Sequence, residues 1–242
     1  MCLHCDEIRI PLEMILRNIV ICLICLLGST VRLKAQDVRS VTDLPLQLSA
    51  SKGSNTALMI YLSGDGGWNE FNQELVHEFE KQGFGVVTLN SRKYFWDQKS
   101  PEDFAGDIDQ LSKYYMKEWK KSSVIIVGYS FGADVGIFLS GRLSSELQKK
   151  IIKIALISPS ASSDFVIRLS DMIGENENVD RKFKVMPEIE KTDLPVICIF
   201  GKDEKLMLKT NLPKKKNLVI YELPGDHRYN NDFKALSKLI GL

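Results

Sequence analysis

Ser130 lies in VIIVGYSFGADVG, residues 124–136, with Gly128 and Gly132 two positions away on either side. An apolar run leads into it and a helical pattern leaves it. That context makes a nucleophile elbow, a sharp strand-to-helix turn that stands the hydroxyl above a sheet at the positive end of a helix. An alcohol is a weak nucleophile, so the chemistry needs a general base and a group that orients the base. GKDEK and LPGDHRYNND supply candidates in the order serine, acid, histidine: Asp203 follows Ser130 by 73 residues and His227 follows by another 24. His227 would take the hydroxyl proton and return it to the leaving group, while Asp203 would fix the imidazole tautomer. Glu204 is the weaker candidate for the acid, and Asp226 is expected to shape the turn. His77, in ELVHEFEK, reads as a solvated helix residue.

Acyl transfer also needs donors for a developing oxyanion. The backbone N–H of Phe131, next to the nucleophile, is one. The loop SGDGGW, residues 63–68, leaves an earlier apolar run, and the amide of Asp65 or Gly66 would be the other. The competing reading of that loop, a phosphate cradle, lacks the lysine and spacing of a P-loop. No histidine-rich or paired-cysteine cluster calls for a metal, and no cofactor is expected.

Seven short apolar runs position these residues: 44–48, 57–62, 85–90, 123–128, 151–158, 195–200 and 218–223. They are continuous and rich in β-branched residues, as strands covered on both faces are. Between them fall helical patterns: Phe71, Leu75 and Phe79; Phe104, Ile108, Leu111 and Tyr115; and a last helix over 232–239. The second has a start signal in SPEDF, where Ser100 caps and Pro101 fills the first turn. Alternation of this kind predicts an α/β fold, a mostly parallel sheet with helices on both faces. The acid and histidine loops then follow consecutive strands, at the edge that carries Ser130. A small insertion near residues 160–193 breaks the rhythm. It contains an amphipathic piece (Phe165, Leu169, Met172, Ile173) and the polar GENENVDRK, and would either cap the carboxyl end of the sheet or form a surface excursion.

The amino-terminal stretch reads separately. Arg17 precedes nine apolar residues, 19–27, with LKA beyond, which fits a signal peptide over residues 1–35 with the true start at Met14. Nine residues cannot span a bilayer core, although an uncleaved anchor is the alternative. The mature domain is then 36–242. Of 32 basic and 31 acidic groups the cut removes four and three, leaving 28 of each. That balance excludes a nucleic-acid footprint. Only Cys198 remains of five cysteines, so no disulfide is expected.

Together SGDGGW, RKYFW with SPEDFAGD, GYSFGADV and LPGDHRY resemble the motif set of the bacterial virulence protein family VirJ/AcvB, over Ala57 to the carboxyl terminus. The chain resembles its short, single-domain form. The resemblance implies an α/β-hydrolase fold and an exported, periplasmic serine hydrolase of aminoacylated phosphatidylglycerol. It also implies a link to type IV secretion. The partner would be a lipid or small-molecule ester at a membrane surface. SRKYFWDQK suits that substrate: Arg92, Lys93 and Lys99 could hold a phosphodiester, and Tyr94, Phe95 and Trp96 suit a water–lipid boundary. Ordinary packing with solvated charges is the bland alternative. Asp65 and Asp134 could meet an aminoacyl ammonium, unless Asp134 makes a structural hydrogen bond within the elbow. The alternatives in function are a generic carboxylesterase, thioesterase or lipase, and a secretion-linked binding protein without turnover.

Overall fold

A computed structural model describes residues 40–50, 53–168 and 181–241. The stretch read as a signal peptide lies outside the described residues, as do Leu169, Met172, Ile173 and most of GENENVDRK.

The strands are β1 (Leu46–Ser49), β2 (Ala57–Leu62), β3 (Gly85–Leu89), β4 (Ser123–Tyr129), β5 (Ile151–Ile157), β6 (Ser162–Ser163), β7 (Phe183–Lys184), β8 (Val196–Gly201) and β9 (Leu218–Leu223). The helices are α1 (Glu70–Lys81), α2 (Ser91–Tyr94), α3 (Pro101–Glu118), α4 (Phe131–Gly136), α5 (Ser145–Gln148), α6 (Val185–Lys191), α7 (Met207–Asn211) and α8 (Phe233–Gly241). Seven strands form one sheet in the order β1-β3-β2-β4-β5-β8-β9. All its pairings are parallel except that of β1 with β3. Strand β1 is the antiparallel edge, which alternation alone did not foretell.

β2 and β3 are buried along their whole length because each carries side chains into two cores. Leu58, Ile60 and Leu62 of β2 enter one core beside Phe104, Ile108 and Leu111 of α3. Met59 and Tyr61 enter the other beside Phe71, Leu75 and Phe79 of α1. Fully burying one such side chain stabilises the fold by about 1.5–3 kcal/mol, which fixes both helices on their faces. The start signal of α3 is built as expected: Ser100 Oγ accepts from Asp103 N at 2.9 Å, with Pro101 in the first turn.

The described part of the 160–193 insertion holds a two-stranded antiparallel ribbon, β6 with β7, and the helix α6. Phe165 is buried among Phe95, Phe104, Phe138 and Phe183. Strands of two residues carry no periodicity, so the ribbon leaves no trace in the hydrophobic pattern.

Candidate active site

Ser130 joins β4 to α4 at φ 53°, ψ −122°, a conformation unusual for a residue with a side chain. Its neighbours make that turn possible. A Cβ on Gly132 would lie 2.2 Å from the Leu62 carbonyl oxygen, and one on Gly128 would lie 2.3 Å from that of Gly132. Any side chain at either position would force β2, β4 and α4 apart. Ser130 N–H donates to Ile157 O at 2.8 Å, and its own carbonyl accepts from Ala133 and Asp134.

His227 and the acidic residues it could pair with sit on the loops after β9 and β8. His227 Nδ1 donates to Glu204 Oε1 at 2.6 Å. The other Glu204 oxygen accepts from Gly201 N at 2.6 Å, so both oxygens are committed and the side chain is 3% exposed. Asp203 is a correction to the sequence expectation. It is exposed, and its backbone N–H donates to Gly225 O at 3.0 Å. Adjacent residues on a tight loop point in different directions, and here the second one faces the imidazole. Gly201 lets the two loops close, since a Cβ there would lie 2.4 Å from the Asp226 carbonyl oxygen. That glycine ending β8 was the sequence signal for close approach. Asp226 shapes its turn by accepting from Arg228 N at 2.8 Å, as expected.

Tyr129 holds the histidine from the nucleophile's side. Its hydroxyl donates to the His227 carbonyl at 3.1 Å and its ring lies 5.2 Å from the imidazole. Phe71 stacks on Tyr129, with ring centroids 4.3 Å apart. Nothing in the sequence marked Tyr129 for this role. Among the described residues no hydrogen bond joins Ser130 Oγ to His227; such bonds often tighten only when substrate is bound. Burial opposes a charge on His227. The Glu204 bond and charge outweigh it, and with Asp65 and Asp134 nearby the pKa is raised above the usual imidazole value.

The loop after β2 lies against the elbow: a Cβ on Gly64 would be 3.4 Å from that of Ser130. Asn72, wholly buried on α1, ties the loop down by donating to Gly67 O at 2.8 Å. Of the expected oxyanion donors, Gly66 is corrected, because its N–H already donates to Asp65 Oδ1 at 2.8 Å. The N–H groups of Asp65 and Phe131 have no hydrogen-bond partner among the described residues, which leaves them for an incoming oxygen.

The rim residues divide. Gly67, Trp68, Arg92, Lys93, Trp96 and the acidic Asp97 are among the residues that line a cleft of about 540 Å³ beside Gly66. Trp96 is 54% exposed, and neither Arg92 nor Lys93 makes an ion pair among the described residues. Tyr94 is a correction: α2 turns it into the core, where its hydroxyl donates to Asp107. Asp134 is a second. Its oxygens accept from Ser160 N at 2.6 Å and Ser160 Oγ at 2.7 Å, so it is a buried tie between α4 and the start of the insertion. Burial pushes its carboxyl up to about 7 although the Ser160 bonds pull it down. Among the described residues no cluster of His, Cys, Asp or Glu could hold a metal ion. Cys198 is buried, which pushes its thiol up to about 12 and leaves it unreactive.

The sequence model of the family described as bacterial virulence protein (VirJ) matches residues 56–241. Among solved structures, Est1E from Butyrivibrio proteoclasticus with bound ferulic acid is similar at TM-score 0.56 and 15% identity, over 82% of this chain and 92% of that one. An alpha-beta serine hydrolase homologue from Coxiella burnetii is similar at TM-score 0.53 and 12% identity, over 81% and 89%. At these identities the likeness concerns the α/β-hydrolase fold. Protein phosphatase methylesterase 1 from Candida glabrata is 30% identical over 88 residues, which is 32% of this chain and 22% of the relative.

Proposed function

The chain belongs to the bacterial virulence protein (VirJ) family, and on that premise we propose that it is an exported serine hydrolase cleaving the aminoacyl ester of an aminoacylated phosphatidylglycerol. The carrying observation is the buried Glu204 carboxylate on Nδ1 of a histidine packed against the elbow tyrosine, beside Ser130. Ser130 Oγ attacks the ester carbonyl carbon as His227 Nε2 takes its proton. The N–H groups of Phe131 and Asp65 receive the oxyanion. Collapse expels the glycerol oxygen, which takes the proton from His227, and water then cleaves the acyl-enzyme to release the amino acid. Ester-hydrolase activity is the coarser part of this reading and is supported by the family and the fold.

The aminoacyl phospholipid is the finer part. Two cations without ion pairs among the described residues, between Trp68 and Trp96 in a cleft bordered by the oxyanion loop, suit a phosphodiester at a lipid surface. Export rests on the apolar stretch after Arg17.

The test compares wild type with Ser130→Ala on vesicles of aminoacylated phosphatidylglycerol and with a fluorophosphonate label. Wild type is expected to release amino acid and take the label at Ser130, and the variant to do neither. Label without release of amino acid would leave a serine hydrolase with another acyl substrate. No label and no turnover would favour the second reading, a secretion-linked binding protein. The present lack of a Ser130–His227 bond is the observation in its favour.

A further inference from the structure

The two edges of the main sheet are unlike. β1 is four residues long and antiparallel, the short kind of edge that resists pairing. β9 is six residues long, and it pairs only with β8. Val196 N–H donates to Asn217 O and Lys202 N–H to Leu223 O, each at 2.8 Å. In a parallel ladder that parity turns the odd residues of β9 toward β8. The N–H and C=O groups of Leu218, Ile220 and Glu222 therefore point away from the sheet, and of these the Leu218 N–H is turned onto Lys215 O at 3.3 Å. The side chains beside them are apolar on both faces, with Val219 44% and Ile220 43% exposed.

The charge along this edge is polar in the other sense. Lys214 and Lys216, both exposed, precede the strand, while the exposed Glu222, which also pairs with Lys209 of its own chain at 3.4 Å, and the exposed Asp226 lie at and beyond its end. An antiparallel copy of the same strand complements that pattern, and a parallel one does not.

The geometry points to β9 as the interface of a homodimer in which two copies of the chain join their sheets edge to edge, antiparallel, about a two-fold axis through Ile220. The outward parity pairs even residues with even ones, and of the registers this allows, the one centred on Ile220 sets Lys214 against Asp226. Ile220 faces Ile220 of the second copy as a hydrogen-bonded pair, with Cα atoms about 5.5 Å apart, and Leu218 faces Glu222. Val219 meets Tyr221 on the opposite face. Lys216 falls on the diagonal from Glu222, within reach of a long side chain, and the Lys214 end of one copy meets the Asp226 end of the other. A shift of the register by one residue would oppose outward groups with inward ones, so it is excluded. The result is an isologous contact that closes on itself and removes the exposed edge. Strand pairing alone falls below the standard interface of about 1,200–2,000 Å², so the dimer is of the concentration-dependent kind. The lipid cleft and the elbow contribute no residue to it.

Sedimentation velocity on the full chain over a concentration series tests this, with turnover of an activated ester as the check on folding. Wild type is expected to pass from monomer to dimer, and Ile220→Lys to remain monomeric. Lys216→Glu, a surface change, is expected to weaken association about tenfold, and Lys216→Glu with Glu222→Lys to restore it. Amide exchange at Ile220 and Glu222 is expected to slow as concentration rises. A wild type that stays monomeric throughout, or a dimer that Ile220→Lys and Lys216→Glu leave equally tight, overturns the proposal.

Discussion

Glu204 and His227 form one buried-carboxylate to imidazole bond, 2.6 Å long, while Asp203 beside Glu204 faces solvent. The first prediction follows from that asymmetry. Glu204→Gln keeps an oxygen for the Gly201 amide or the imidazole but removes the charge, and is expected to lower kcat by about 10²–10⁴. Asp203→Asn, at an exposed site, is expected to stay within about twofold of wild type. Parallel kinetics on the two variants decide between the acids, and the opposite ranking would return the role to Asp203.

The same pair sets a pH dependence. In the proposed mechanism the base works only as neutral imidazole, and Glu204 holds the pKa of His227 above its usual value. Activity is therefore expected to rise with pH through a midpoint above the ordinary imidazole range of about 6.5. Removing the charge in Glu204→Gln takes away the main factor raising the pKa, so the midpoint moves to lower pH even as the rate falls. A pH profile of kcat/KM measures both. An unmoved midpoint would mean that another group titrates.

What was legible in the sequence, and what was not, divides along physical lines. β2 and β4 were readable because their apolar runs are uninterrupted and covered on both faces, and β9 from the apolar stretch that precedes Glu222. The elbow was readable because Gly128 and Gly132 answer a steric demand that no other residue meets. The acid was misassigned because Asp203 and Glu204 are chemically alike and one residue apart. What separates them is the Gly201 amide, a bond that spacing does not encode. Tyr94 was misassigned because a single helical turn, Ser91–Tyr94, rotates Tyr94 and Phe95 inward and leaves Trp96 outside. Asp134 was readable as an elbow residue, but Ser160, its partner, is 26 positions away.

Gly132→Ala tests the steric account of the elbow. The added Cβ meets the Leu62 carbonyl, which is backbone of a central strand and cannot swing aside. A loss of about 1–3 kcal/mol is expected from such overpacking, read as a lower denaturant midpoint, together with loss of turnover. A variant as stable as wild type would show that β2 and α4 can separate.

Asp134 predicts a stability slope. Its folded pKa, about 7, lies above the unfolded carboxylate value of about 3.9. Between those values the native state holds a proton that the unfolded state has released, so stability falls as pH rises from about 4 to 7. Asp134→Asn carries no such proton. It can still accept from Ser160 N and donate to Ser160 Oγ, which in turn reaches Ser162 O. The variant is expected to flatten the slope in chemical unfolding across that window. An unchanged slope would place the titration elsewhere.

Asp65 and the Arg92–Lys93 pair divide the proposed substrate between them, which gives a prediction with two arms. Asp65 sits in the loop that would receive the oxyanion, and an α-ammonium is one carbon away from the attacked carbonyl. In Asp65→Asn the amide oxygen can still accept from Gly66 N, so the loop stays anchored while its charge is lost. Turnover of an aminoacyl ester is expected to fall about tenfold or more, the scale of one charge-assisted hydrogen bond, while an acetyl ester of the same alcohol is little affected. Arg92→Ala and Lys93→Ala should show the reverse selectivity. They would raise KM about tenfold for a leaving group carrying a phosphodiester and leave a neutral glycerol ester unchanged. Kinetics with four substrates, pairing each acyl group with each alcohol, resolve the two effects. Equal losses on all four would mean that these residues serve the fold or the oxyanion loop and recognise neither half of the substrate.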